Sequence, residues 1–275
     1  MGTKGNGGLG FLYENPFGRI ILRILRAKWI SVLAGAFLDT PLSKPLIKPF
    51  VRKNNIVLED YETDGIKTFN EFFCRKIKPG KRTIDNSPDA LIAPCDGLLS
   101  VYPVVDGAVY PVKQSEYTVS DLLKSSELAK KFEGGYVYVF RLCVNHYHRY
   151  SYPITGEKGD NTYIKGTFHT VRPIALRNKK VYCENAREYT LMESDFFGTV
   201  LQMEVGAMLV GKIDNYHGAC KISKGEEKGK FLYGGSTVIL LTQKGKAEPK
   251  AEFLSATEQG IETAVCLGER INQAE

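Results

Sequence analysis

A chain of 275 residues, 43% hydrophobic and 25% charged, has the composition of a folded globular protein with a sizeable core, which excludes an intrinsically disordered chain. Its formal net charge of +6 points to an anionic partner without deciding between lipid, nucleic acid and metabolite. The six cysteines contain no C-x-x-C pair, which argues against a zinc site or a dense disulfide framework and leaves reduced thiols in a cytosolic setting as the expectation.

The N-terminus holds a formal G-x-G-x-x-G at Gly5, Gly7 and Gly10. No strand precedes it, so it reads as a flexible tail rather than a dinucleotide site, and no apolar segment with a small-residue cleavage site marks a secretory signal. Residues 16–38 are more informative. Arg19, Arg23 and Arg26 recur at helical spacing on one face, while Ile20, Ile21, Ile24, Leu25 and Trp29 supply apolar bulk. No window of about 18 residues is free of charge, which disfavours a spanning helix. A basic amphipathic helix lying on an anionic bilayer is expected instead, with a helix packed on the protein's own core as the plainer alternative. Pro41, Pro45 and Pro49 then break the pattern into short helical pieces or a linker.

A boundary is expected near residues 55–65, which separates an N-terminal region, 1–60, from a domain spanning 61–275. Residues 66–76 place Phe69, Phe72 and Phe73 at helical spacing with Asn or Thr available as a cap, an aromatic set that reads as core. From Leu91 onward the chain turns to short apolar runs split by Gly, Pro, Asp and Asn. One helix, Val119–Phe132 with a Ser120 cap, interrupts them. The pattern predicts an α+β, mostly β chain: a compact barrel- or sandwich-like domain preceded by amphipathic helices.

Four stretches carry chemistry-bearing residues. Asp96-Gly97 is an acidic turn between apolar runs, and Asn145–Pro153 holds His146 and His148 after the strand YVYVFRLCV. Val205-Gly206-Ala207 and Val210-Gly211 mark a strand where backbones pass closely. Gly234-Gly235-Ser236-Thr237 puts a serine at the mouth of the buried run Val238–Leu241, after two residues without Cβ. Glycines there permit a bend that returns the hydroxyl onto the preceding carbonyl, although such a string alone describes only a turn. Asp, His and Ser are the inventory of an activated hydroxyl, but no G-x-S-x-G elbow supports an esterase.

At Lys224–Val238 the chain resembles the self-processing segment of phosphatidylserine decarboxylases, with Gly-Gly-Ser-Thr in place of the usual Leu-Gly-Ser-Thr. Tyr147-His148-Arg149 with Pro153 is similar to the family's Asp-Tyr-His-Arg-x-His-x-Pro segment; Asp96-Gly97, Phe132–Gly135, Val205–Ala207, Gly260 and Gly268-Glu269 also fit in order. The resemblance implies that the Ser236 hydroxyl attacks the Gly235 carbonyl and that β-elimination and hydrolysis follow. Chains 1–235 and 236–275 then remain as a heterodimer, with further dimerisation as an open alternative, and carry a covalent pyruvoyl group at residue 236. It implies Schiff-base decarboxylation of phosphatidylserine to phosphatidylethanolamine by a peripheral enzyme on the cytoplasmic face of the cell membrane, bound to an anionic surface, with no metal and no nucleic acid. His148 and Asp96 take the catalytic positions. Within its His-containing segment the chain departs from the pattern in two places, where Ser151 stands for the second His and His146 for the leading Asp. The base for cleavage is therefore assigned to His148, serving both steps, with His146 and His169 as alternates and Ser151 and Thr237 as possible supporting residues. A soluble amino acid substrate, or an unprocessed lipid-binding relative, are the competing expectations.

Overall fold

The apolar runs after Leu91 become strands, and their order in space explains why the central ones are apolar on both faces. The computed structural model describes residues 15, 17, 33, 35–105, 109–112, 115–166, 181–206, 212–232 and 236–274. Its strands are β1 (Tyr61–Glu62), β2 (Lys76–Ile77), β3 (Gly97–Pro103), β4 (Val109–Val112), β5 (Ser115–Thr118), β6 (Tyr136–Leu142), β7 (Arg149–Ser151) and β8 (Gly156–Lys158). There follow β9 (Thr162–Ile164), β10 (Arg187–Ser194), β11 (Gly198–Val205), β12 (Lys212–Asn215), β13 (Cys220–Ile222), β14 (Glu227–Leu232), β15 (Ser236–Thr242) and β16 (Thr263–Val265). Among the described residues, an antiparallel sheet runs β13-β8-β10-β11-β15-β6-β3-β16, with β9 also on β10, and a smaller sheet runs β12-β14-β7.

Among the described residues the large sheet ends in edges at β13 and β16 without closing, so the sandwich half of the expectation fits. β15 lies between β11 and β6, every one of its residues buried. Opposite residues in an antiparallel pair share a face, so Ser236, Val238 and Leu240 point to the side of Glu204 and Gln202. The small sheet covers that side: Lys228 of β14 bonds Glu204 of β11 at 2.6 Å, and Asn215 of β12 bonds Glu188 of β10 at 2.8 Å. A Cβ on Gly135 would fall 1.8 Å from the carbonyl oxygen of Thr242, so the tight approach of the chain entering β6 to the end of β15 requires glycine.

The Lys228–Glu204 pair is fully buried, and removing one partner leaves the other charge uncompensated. Lys228→Met is therefore expected to cost about 3–5 kcal/mol in a urea titration, and converting Glu204 to an apolar residue in the same chain should return much of it. An unchanged midpoint for the single variant would mean that water reaches the pair.

Among the described residues the helices are short. Pro41–Leu46 form a 3-10 turn containing Pro45, followed by α1 (Ile47–Asn54), as the three prolines suggested. α2 (Phe69–Phe73) opens with a capping box in which the Thr68 hydroxyl accepts from Glu71 N–H and the Glu71 carboxylate accepts from Thr68 N–H. Phe72 and Phe73 are core, while Phe69 is half-buried against Phe50 of α1. The expected helix over 119–132 is two: α3 (Val119–Leu123) and α4 (Ser126–Lys130). Lys124 takes a left-handed conformation (φ 55°), which ends the first, and Ser125 caps the second. The first cap is Thr118, not Ser120, whose hydroxyl faces Ser126. α5 (Val181–Glu184) precedes β10, and α6 (Ala251–Glu258) is joined to β3 by a Val101 N–H bond to the Thr257 hydroxyl. Arg19, Arg23, Arg26 and Trp29 of the basic N-terminal stretch lie outside the described residues.

Candidate active site

Ser236 opens β15, directly before the β-branched and apolar run that carries it into the sheet. Its Oγ lies 3.5 Å from Nδ1 of His148, and both residues are 0% exposed. His148 is delivered by the turn between β6 and β7. That turn closes on itself: His146 N–H donates to the Cys143 carbonyl at 2.9 Å, and Cys143 N–H donates to His146 Nδ1 at 3.2 Å. Cys143 follows Leu142, the register partner of Ser236, so the sheet itself sets the distance between turn and nucleophile.

The protonation state of His148 follows from its neighbours. Nε2 faces the carbonyl oxygen of Cys143 at 3.1 Å, and a carbonyl only accepts, so Nε2 carries the hydrogen. Nδ1 is left with its lone pair toward the Ser236 hydroxyl. Burial first, then the charge of Arg75, then His146, hold the imidazole well below its ordinary value of 6.5, which keeps it neutral. The Phe73 ring stacks on it at 4.0 Å between centroids and 27° between planes. A neutral, immobilised imidazole with a free nitrogen on a buried hydroxyl is the geometry of general-base activation.

Asp96 has a different post. It accepts a bidentate pair from Arg82, Nε at 2.9 Å and Nη2 at 2.6 Å, and a third bond from Leu267 N–H at 2.8 Å. Neither ring nitrogen of His148 is spent on Asp96. Its charge acts on His146, opposing a drop in that residue's pKa that burial dominates. Because His146 Nδ1 accepts from Cys143 N–H, its own hydrogen sits on Nε2, and it has no free lone pair for Ser236.

Ser151, where the family pattern has its second His, is buried in β7 with its N–H on the Pro94 carbonyl at 2.8 Å. Thr237 is buried on the opposite face of β15 from Ser236, and its hydroxyl has no partner among the described residues. Gly235 and His169 lie outside the described residues. The sequence reading missed the Phe73 stack, the Arg82 clamp on Asp96 and the Cys143 carbonyl; the last is a backbone group and carries no sequence signal.

Comparison with known proteins gives these positions a context. A family model described as phosphatidylserine decarboxylase matches residues 69–272. "Phosphatidylserine decarboxylase proenzyme 2" of Clostridium acetobutylicum is 38% identical over 269 residues, 98% of this chain and 92% of the relative. "Phosphatidylserine decarboxylase proenzyme" of Fusobacterium nucleatum is 36% identical over 274 residues, 98% of this chain and 91% of its own length. The protein of that name from Clostridium kluyveri is 39% identical over 269 residues, covering 96% and 91%.

Proposed function

The chain belongs to the phosphatidylserine decarboxylase family, and from that premise we propose that it converts phosphatidylserine to phosphatidylethanolamine with a pyruvoyl group made from its own Ser236. The observation that carries the reading is the buried Ser236 hydroxyl, 3.5 Å from the free nitrogen of a neutral imidazole. Ser236 Oγ passes its proton to His148 Nδ1 and attacks the carbonyl carbon of Gly235. The peptide C–N bond breaks as the ester C–O bond forms, and the proton moves from the imidazole to the freed amine. Loss of the residue 236 α-proton then expels the Gly235 carboxylate, and water releases ammonia to leave a ketone.

The surroundings of residue 236 suit that group: it is fully buried, faces a neutral base and adjoins the Phe73–His148 stack. A pyruvoyl group formed at residue 236, held beside His148, would supply a carbonyl for the substrate amine and an electron sink for decarboxylation. His148 Nδ1 is the group in place to hold and return the protons that this exchange requires. Chain 236–275 stays with chain 1–235 because β15 is bonded on both edges, to β11 and β6, and β16 to β3.

An anionic lipid substrate agrees with the net charge of +6. Beside α1 runs a groove of about 950 Å³ lined by Pro41, Lys44, Pro45, Ile47, Lys48 and Phe72, which combines apolar walls with cations. It adjoins a second groove, of about 330 Å³, that reaches Arg149 and Lys230, the two sharing Asp64, Gly65 and Ile66. Among the described residues no helix is long and apolar enough to cross a membrane. On this reading the protein is a peripheral enzyme on the cytoplasmic face of the cell membrane, with residues 1–60 on the lipid and 61–275 as the catalytic domain.

Intact-mass spectrometry of the purified chain, paired with CO₂ release from phosphatidylserine liposomes, tests this. The expected result is two chains, 1–235 and 236–275, the smaller beginning with a ketone, and lipid-dependent CO₂ release. CO₂ release from a free amino acid, indifferent to liposomes, would give the site to a soluble substrate. A single full-length mass that persists with liposomes would make the chain an unprocessed relative.

A further inference from the structure

We infer that Arg75 is a positioning residue for His148: its guanidinium clamps the turn that presents the imidazole, so that Nδ1 faces the Ser236 hydroxyl. The inference deepens the proposed function and rests on its assignment of His148 as the base.

Arg75 comes just after α2, one residue beyond Cys74, and is 2% exposed. Arginine is among the residues least often buried, and when it is, a carboxylate usually accompanies it. Among the described residues no acidic side chain lies within ion-pair distance of Arg75; Asp96, a carboxylate whose charge bears on it, is held by Arg82 on both oxygens. Arg75 bonds backbone instead through its two Nη atoms, while its buried Nε has no partner among the described residues. Nη2 donates to the carbonyls of Asn145 at 3.0 Å and His146 at 3.3 Å, and Nη1 to that of Phe72 at 3.4 Å. Its Cζ sits 4.2 Å from the Tyr61 ring centroid and 5.0 Å from that of Phe72, so the charge is held by π faces.

Two of those three carbonyls belong to the turn that ends in His148. The turn is thus gripped from outside by Arg75 and from inside by the Cys143 carbonyl, which takes both His146 N–H and His148 Nε2–H. Beside the imidazole stand Arg75, His146, the Cys143 carbonyl, the Phe73 ring and Ser236; among the described residues no carboxylate hydrogen-bonds it. Burial first, and then the Arg75 charge, oppose protonation of the ring. A neutral residue of similar length would fill the space and lose both effects; a lysine at this position would keep the charge but not the planar three-carbonyl fork.

The test is an NMR titration of histidine side-chain nitrogens in the Ser236→Ala chain, which cannot cleave, with the His148 signals assigned by their loss in His148→Gln. In the Arg75 parent, His148 should stay neutral, in the Nε2–H form, well below pH 6.5. Arg75→Met should raise its midpoint, the direction expected when a neighbouring like charge is removed. Arg75→Lys should leave the midpoint near the parent's. With Ser236 restored, Arg75→Lys should slow self-cleavage by about tenfold or more, without moving the acid limb of its pH profile, because a loosened turn misplaces the base. An unmoved His148 midpoint in Arg75→Met, or parental cleavage in Arg75→Lys, overturns the inference. Should Arg75→Met fail to fold, the Arg75→Lys arm decides alone. The titration needs no cleavage, so a chain that never self-processes would sink the proposed function while leaving the coupling of Arg75 to His148 readable.

Discussion

Ser236→Ala is expected to leave the chain as one 275-residue polypeptide with no CO₂ release from phosphatidylserine, while folding as before. The substitution removes a single oxygen from a residue that is 0% exposed and keeps its Cβ, so the packing of β15 between β11 and β6 is undisturbed. The hydroxyl's one described bond is the long one to His148, so its loss should change stability by no more than about 1 kcal/mol. Chemistry, by contrast, loses its nucleophile altogether. Ser236→Thr separates geometry from reactivity: it keeps the hydroxyl but adds a methyl in a closed space, where overpacking costs about 1–3 kcal/mol, and should cleave slowly. Denaturing gels and intact mass read both variants. Cleavage between residues 235 and 236 in Ser236→Ala would identify a foreign protease as the agent and remove the self-processing argument.

What the sequence made legible was the succession of apolar runs that become strands and the position of Ser236 at the head of one of them. β15 could be read because an unbroken apolar run follows Ser236, and a strand buried on both faces needs such a run. The 119–132 helix was read as one because its apolar period crosses Lys124 without a Gly or Pro to stop it; the break is made by a left-handed lysine with a serine cap behind it. At the site, residue types pointed to Ser, His and Asp, a set that suggests a linear relay. The fold separates them: Asp96 is bound up with Arg82 and Leu267, and a peptide carbonyl orients His148. Backbone groups have no letter in a sequence, and a buried arginine such as Arg75 looks there like any other basic residue. The absence of a second His at 151 loses its force for the same reason: the nitrogen facing Ser236 belongs to His148, and Ser151 is occupied in the β7 backbone contact with Pro94.

His148→Gln is the second large effect: self-cleavage should slow by about 10²–10⁴-fold, the usual contribution of a general base, and precursor should accumulate. Glutamine is preferred to alanine because the imidazole fills space against Phe73, and an emptied site would confuse lost packing with lost chemistry. In the His146→Gln chain cleavage should persist, since His146 Nδ1 is committed to Cys143 N–H; a reversal of these two results would move the base to His146. The pH dependence follows from the same geometry. The folded chain holds His148 well below the 6.5 of an exposed imidazole, so the parent cleavage rate should be flat above about pH 6.5 and fall only in more acidic solution. Stability carries the matching sign. Between the folded value and 6.5 the unfolded chain binds more protons than the folded one, so the contribution is fully present above 6.5 and is lost as pH falls through the folded value. Urea midpoints at about pH 7.5 and about pH 5 should therefore differ less in His148→Gln than in a Ser236→Ala reference that retains the imidazole. Equal acid sensitivity in the two would mean that His148 is already solvated in the folded chain, and the free nitrogen facing Ser236 would lose its explanation.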